Sequence, residues 1–123
     1  MATEFIRKTM ADVPTSAVPN TSNANNDLYT AGANTDSVII GLLLTNKSGA
    51  SITADVMIEV QSGQGENVYL VKGAQVPVGS ALEVISGKVV VANTGSCTGD
   101  TLQVRCDTAS ALDATVSILE NTP

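Results

Sequence analysis

The chain has 123 residues, enough for one domain, and about 90 to 100 of them remain for a core once a polar N-terminal stretch is set aside. Twelve acidic against six basic residues give a net charge of −6 with no block of like charge, which disfavours the phosphate-neutralising patch of a nucleic-acid binder. Val, Ile and Thr make up 36 of the 123 residues and aromatics only three (Phe5, Tyr29, Tyr69), so a strand-rich fold with an aliphatic core is expected and sites built on ring stacking are disfavoured.

In chain order, residues 1–10 carry Arg7 and Lys8 but no apolar run behind them. No segment reaches the roughly 20 apolar residues of a membrane span, so neither a classical export signal nor a membrane partner is expected. Residues 3–10 read either as an isolated strand that pairs with a neighbouring subunit or as a disordered tail. Residues 11–27 combine Pro14 and Pro19 with Ser, Thr and four Asn, too polar to bury and too broken for a ladder. The division expected is an extended arm over 1–35 and a β-sandwich domain over 36–123.

From residue 36 onward, short apolar runs alternate with turn residues. Strands are predicted near 37–46, 51–61, 66–73, 75–78, 81–86, 88–93, 100–107 and 110–120. Residues 51–61 alternate most cleanly: Ile52, Ala54, Val56, Ile58 and Val60 take one face, and Thr53, Asp55, Met57, Glu59 and Gln61 the other, which is expected to meet water. Leu102, Val104 and Cys106, and Leu112, Ala114, Val116 and Ile118, repeat the period. Asn46-Lys47-Ser48-Gly49, Ser62-Gly63-Gln64-Gly65, Val78-Gly79-Ser80 and Ser86-Gly87-Lys88 supply the turns. The fold class expected is all-β, an antiparallel β-sandwich or jelly roll of seven to eight short strands with an extended N-terminal arm.

Residues 38–44, Val-Ile-Ile-Gly-Leu-Leu-Leu, are apolar on both faces of their strand. Two readings fit: a central strand roofed by a loop or the arm, or a subunit contact. Phe5, Ile6, Ile39 and Leu43 are the candidate oligomer-interface residues, and a homo-oligomer is the expected state. Leu43→Asp is expected to dissociate or unfold the protein, and removal of residues 1–30 to leave a folded core that associates less.

The residue types that carry chemistry are sparse. There is no histidine, which removes the commonest general base and metal ligand. Cys97 and Cys106 lie nine positions apart, and a strand from 100 to 106 spans about 20 Å, so a disulfide requires the chain to double back near Gly99. Cys106 reads as a small buried hydrophobe, and free thiols fit a reducing compartment. Arg105, the obvious cation beside it, falls on the opposite strand face. Glu59, Glu66 and Glu83 are carboxylates that would serve acid–base chemistry only if the fold gathered them. Gly63 and Gly65 lack the third glycine and helix of a dinucleotide loop, and Asp100 and Asp107 flank one strand rather than share an ion. No catalytic residue, cofactor or metal is expected, and the chain reads as a non-enzyme. Asn20-Thr21-Ser22 and Asn46-Lys47-Ser48 match the glycan-acceptor pattern without an export signal to give it meaning.

Residues 38–46 lead through a Ser-Gly turn into 51–60. Val76-Pro77-Val78-Gly79-Ser80 precedes Leu82-Glu83-Val84, Gly99-Asp100 opens residues 101–104, and residues 112–120 close the series. In this arrangement, over about two-thirds of the chain, the sequence resembles the small β-sandwich virion proteins of tailed bacteriophages, especially those of marine and cyanobacterial phages. The resemblance implies a repeated structural subunit at the neck, along the tail or on the capsid surface. It further implies assembly in the host cytoplasm, other virion structural proteins as partners and no catalytic residues to transfer. The chain lacks a fibre's repetitive stalk and a receptor binder's aromatic tip. A carbohydrate- or host-surface-binding sandwich module is the alternative, disfavoured by the scarcity of aromatics.

Overall fold

A computed structural model describes residues 2–18, 25–32, 35–60, 66–84, 89–92 and 99–122. Among these the regular structure is entirely β: β1 (Ala2–Met10), β2 (Asp27–Thr30), β3 (Asp36–Asn46), β4 (Ile52–Glu59), β5 (Val68–Val76), β6 (Ala81–Glu83), β7 (Val89–Ala92), β8 (Thr101–Cys106) and β9 (Leu112–Thr122). All pairings are antiparallel. A five-stranded sheet runs β1-β9-β3-β6, with β7 paired to β3 alongside β6, and a four-stranded sheet runs β2-β8-β4-β5. The two close over one aliphatic layer as a β-sandwich.

That layer follows from the period of two. Ile52, Ala54, Val56 and Ile58 of β4, Leu102, Val104 and Cys106 of β8, and Leu112, Ala114, Val116 and Ile118 of β9 are all buried in one core cluster. Each fully buried Val, Ile or Leu contributes about 1.5–3 kcal/mol relative to exposure. Tyr29 adds a polar tie between the layers, because its hydroxyl sits 2.5 Å from Ser37 Oγ and donates to Glu120 on the opposite sheet. Burial, then the Glu120 carboxylate, pushes its pKa above the usual tyrosine value.

Where turns were expected and are described, local chemistry accounts for them. Asn46 Oδ1 accepts the Ser48 N–H at 2.8 Å, while its Nδ2 donates to the carbonyls of Ala50 and Val76, each at 2.9 Å. Ser80 N–H bonds Pro77 O at 3.3 Å across Gly79, whose φ of +71° suits glycine alone without cost. The turns at 62–65 and 86–88 lie outside the described residues. Asp100 and Asp107 stand at the two ends of β8.

Three elements differ from expectation. Residues 66–73 and 75–78 are not two strands but the single strand β5, because Gly73 at φ +64° absorbs a register shift against β4 instead of ending the strand. Residues 2–10 form a strand, but the edge they complete is β9 of the same chain. The expected arm also supplies β2 and a strap: Val13 N–H bonds Leu112 O, and Cys106 N–H bonds Pro14 O. Val13 itself is fully buried between the sheets.

The strap then crosses the outer face of the four-stranded sheet. Thr15 O accepts from Arg105, Ser16 O accepts from Asn26 Nδ2 at 3.1 Å, and Val18 O accepts from the Tyr69 hydroxyl at 3.3 Å. The outward side chains of β4, expected to meet water, are accordingly buried: Asp55 is 3%, Met57 5% and Glu59 6% exposed.

Candidate functional site

The outer face of the five-stranded sheet has no such cover among the described residues, and the reason starts in β3. A register shift between Ile39 and Gly41 bulges Ile40 out of the ladder. Ile39, Leu42 and Leu44 then face the core, while Val38 and Leu43 face outward and Ile40 stays 42% exposed. A strand apolar on both sides thus divides into a buried set and a set facing away from the core.

Cross-strand register makes that outward set continuous. Phe5 of β1 lies opposite Leu119 of β9, Leu119 opposite Val38 of β3, and Val38 opposite Val90 of β7. Four strands thereby contribute one apolar side chain each to a row across the sheet. Phe5 is 77% and Val90 61% exposed, and Leu119 and Val38 are half-buried between them. Such a row is a continuous apolar feature turned outward by this sheet, and exposed contiguous apolar surface marks interaction sites.

Beside the row, Arg7, Ser117 and Gly41 occupy the next cross-strand positions, and Thr9, Thr115, Leu43 and Glu83 those after. Because Gly41 has no side chain, the sheet dips there into a shallow groove of about 290 Å³, lined by Gly41, Leu42, Leu43, Glu83, Thr115 and Ser117. A Cβ at Gly41 would meet nothing within 4 Å, so the dip is open space and not a close approach of backbone.

Of the residues expected at an oligomer contact, Phe5 and Leu43 lie on this face. Ile6 and Ile39 do not. Ile6 follows Phe5 and so turns inward, half-buried against the core, and Ile39 sits just before the bulge with no exposed surface. Val38 and Ile40, from the apolar segment 38–44 already read as a possible contact, also lie on it, and Val90 and Leu119 complete the face without having been singled out. Leu119 carried the clearest signal, an apolar residue in the otherwise polar outward series Asp113, Thr115, Ser117.

Elsewhere among the described residues, the carboxylates singled out in the sequence lie apart and the other chemically capable groups are engaged in the fold. Glu59 is buried on the outer side of the four-stranded sheet, Glu83 is exposed on β6 of the other sheet, and Glu66 precedes β5. Asp55 accepts the Gly73 N–H at 2.6 Å and contacts Arg105 at 3.3 Å and Lys72 at 3.5 Å. Burial pushes Asp55 up, but the Gly73 amide and the two cations outweigh it and hold the carboxyl below its usual pKa. Cys106 is a free, buried thiol pushed up by that burial, with Thr108 O 2.9 Å from Sγ. Cys97 lies outside the described residues. Asn46 is 3% exposed and bound to its own turn, and Asn20 falls outside the described residues. Among the described residues no three His, Cys, Asp or Glu side chains gather as a metal site. No protein-family model matches the chain, and no curated protein matches its sequence.

Proposed function

We propose that the chain is a non-enzymatic structural subunit of a bacteriophage particle, present in many copies and attached at the neck or tail or on the capsid surface. It associates with copies of itself and with other virion proteins through the outer face of its five-stranded sheet. The observation that carries the association is the apolar row Phe5–Leu119–Val38–Val90, which no other described residue of the chain covers. The phage assignment rests on the resemblance of residues 38–120 to small virion sandwiches.

The row suits packing better than catalysis or ligand capture. It is aliphatic apart from Phe5 and bordered by Thr, Ser, Arg7 and Glu83, which is how a contact patch with a polar rim is composed. Leu43→Asp beside the row and Val90→Asp within it place a carboxylate on this face at positions that already meet solvent, so both variants should fold and lose self-association. Light scattering at micromolar concentration checks this. A strictly monomeric wild-type chain, or fully assembled variants, would remove this face from the account. Mass spectrometry of purified particles tests the location, with many copies per particle expected.

A further inference from the structure

Among the described residues the five-stranded sheet ends in β1, which pairs with a strand on one side only. Alternate residues of β1 therefore direct their N–H and C=O groups to a side that no described strand occupies. Natural edges are usually protected by being short, bulged, interrupted by proline or charged. β1 is nine residues long and unbroken, its register against β9 running without a shift from Ala2↔Thr122 to Met10↔Ala114, and its protection is charge alone, from Glu4, Arg7 and Lys8.

We infer that this edge pairs antiparallel with β1 of a second copy about a two-fold axis centred on Ile6, continuing the five-stranded sheet across two chains. The inference rests on the self-association proposed above and names one of its contacts. An axis perpendicular to the sheet leaves every residue on its own face, so only registers that pair even with even positions and odd with odd are allowed. With Ile6 on the axis, Glu4 faces Lys8 of the second copy and Lys8 faces its Glu4. Phe5 and Arg7 face each other in the same way, ring against guanidinium, and Thr3 faces Thr9.

Neighbouring registers lose this match. Centring on Phe5 sets Glu4 against Ile6, and centring on Arg7 sets Arg7 against Arg7 and Ile6 against Lys8. The strand is charge-complementary to itself in one register.

A second observation points the same way. Within its own chain Glu4 stands directly opposite Glu120, a like-charge neighbour that disfavours the pairing, whereas Lys8 stands opposite Val116. Among the described residues neither Glu4, Arg7 nor Lys8 forms an ion pair. The second copy would bring Lys8 to Glu4 from the free side, beside the very place where two carboxylates face each other.

The test is a charge reversal on the full chain, read by sedimentation equilibrium. Glu4→Lys and Lys8→Glu each convert two attractive pairs per dimer into two repulsive ones and should weaken association about tenfold. The double variant Glu4→Lys with Lys8→Glu should restore it. Glu4→Lys also removes the repulsion from Glu120, so its monomer should unfold at no lower temperature than wild type, which separates lost pairing from lost folding. Ile6→Cys should cross-link two chains under mild oxidant, and Thr3→Cys, far from its symmetry mate, should not. If all three charge variants associate like wild type while Val90→Asp does not, edge pairing is overturned and the open face stands. If the wild-type chain is monomeric throughout, both readings fall.

Discussion

The outer face of the four-stranded sheet is polar and covered, whereas that of the five-stranded sheet carries apolar side chains and is open among the described residues. On the covered face, Arg105, Asn26 and Tyr69 each hand a hydrogen bond to a carbonyl of the strap. The open face offers Phe5, Leu119, Val38 and Val90, none of which has a side-chain donor. The difference teaches that a chain covers its own surface with backbone only where that backbone can be satisfied, since each buried carbonyl left without a donor costs about 1–3 kcal/mol. A polar face suits a strap, and an apolar face suits another packed surface.

The contrast can be broken from the covered side with the largest effect. Removing residues 1–30 takes away Val13, Leu28 and Tyr29, all buried, along with the strap and β2. The expected outcome is an unfolded chain by circular dichroism, not the folded core that an independent arm would leave behind. Removing residues 1–10 alone should keep the sandwich, because β1 contributes only an edge.

Next in size is Asp55→Ala, which leaves Arg105 and the Gly73 amide facing each other without their shared acceptor. A loss of about 3 kcal/mol in urea unfolding is expected. Asn26→Ala should cost about 2 kcal/mol by freeing Ser16 O and Val104 O from their donor, and the strap should then gain hydrogen exchange at residues 15–18.

Protonation gives a smaller and graded version of the Asp55 change. The folded-state pKa of Asp55 lies below the unfolded value near 3.9, so the native state binds the proton less readily than the unfolded one. Its stabilisation is complete above that value and disappears as pH falls through the folded pKa. Denaturant midpoints should drop below about pH 4, and less so in Asp55→Asn.

The smallest effect belongs to the open face. Val90→Thr, at a side chain 61% exposed, should change monomer stability by less than about 0.5 kcal/mol while measurably weakening self-association. A large loss of stability there would mean that the face is packed within one chain after all.

How much of this was legible varies along the chain. Residues 112–118 read correctly because polar and apolar positions alternate and one sheet face is core, whereas residues 101–106 alternate too but bury Thr101 and Gln103 on the polar side as well. Residues 51–61 alternate as cleanly, yet Glu59 and Asp55 are buried, since period-two patterning distinguishes two faces without stating what lies over the polar one. The apolar row escaped notice because its four members come from β1, β9, β3 and β7, up to 114 positions apart between Phe5 and Leu119, and meet only through register. Ile39 and Leu43 looked equivalent in sequence, and the bulge at Ile40 assigned one to the core and one to the surface.

Aliphatic residues at alternate positions, with glycine and asparagine at the reversals, determined by themselves that this is an antiparallel sandwich with an aliphatic core. Those are local properties, set by side-chain volume, backbone sterics and the two-residue pleat. Which face stays open, which polar groups are buried and where the first ten residues pair were decided by tertiary structure alone. The reason is that cover and register are relations between distant segments, and no single segment encodes its partner.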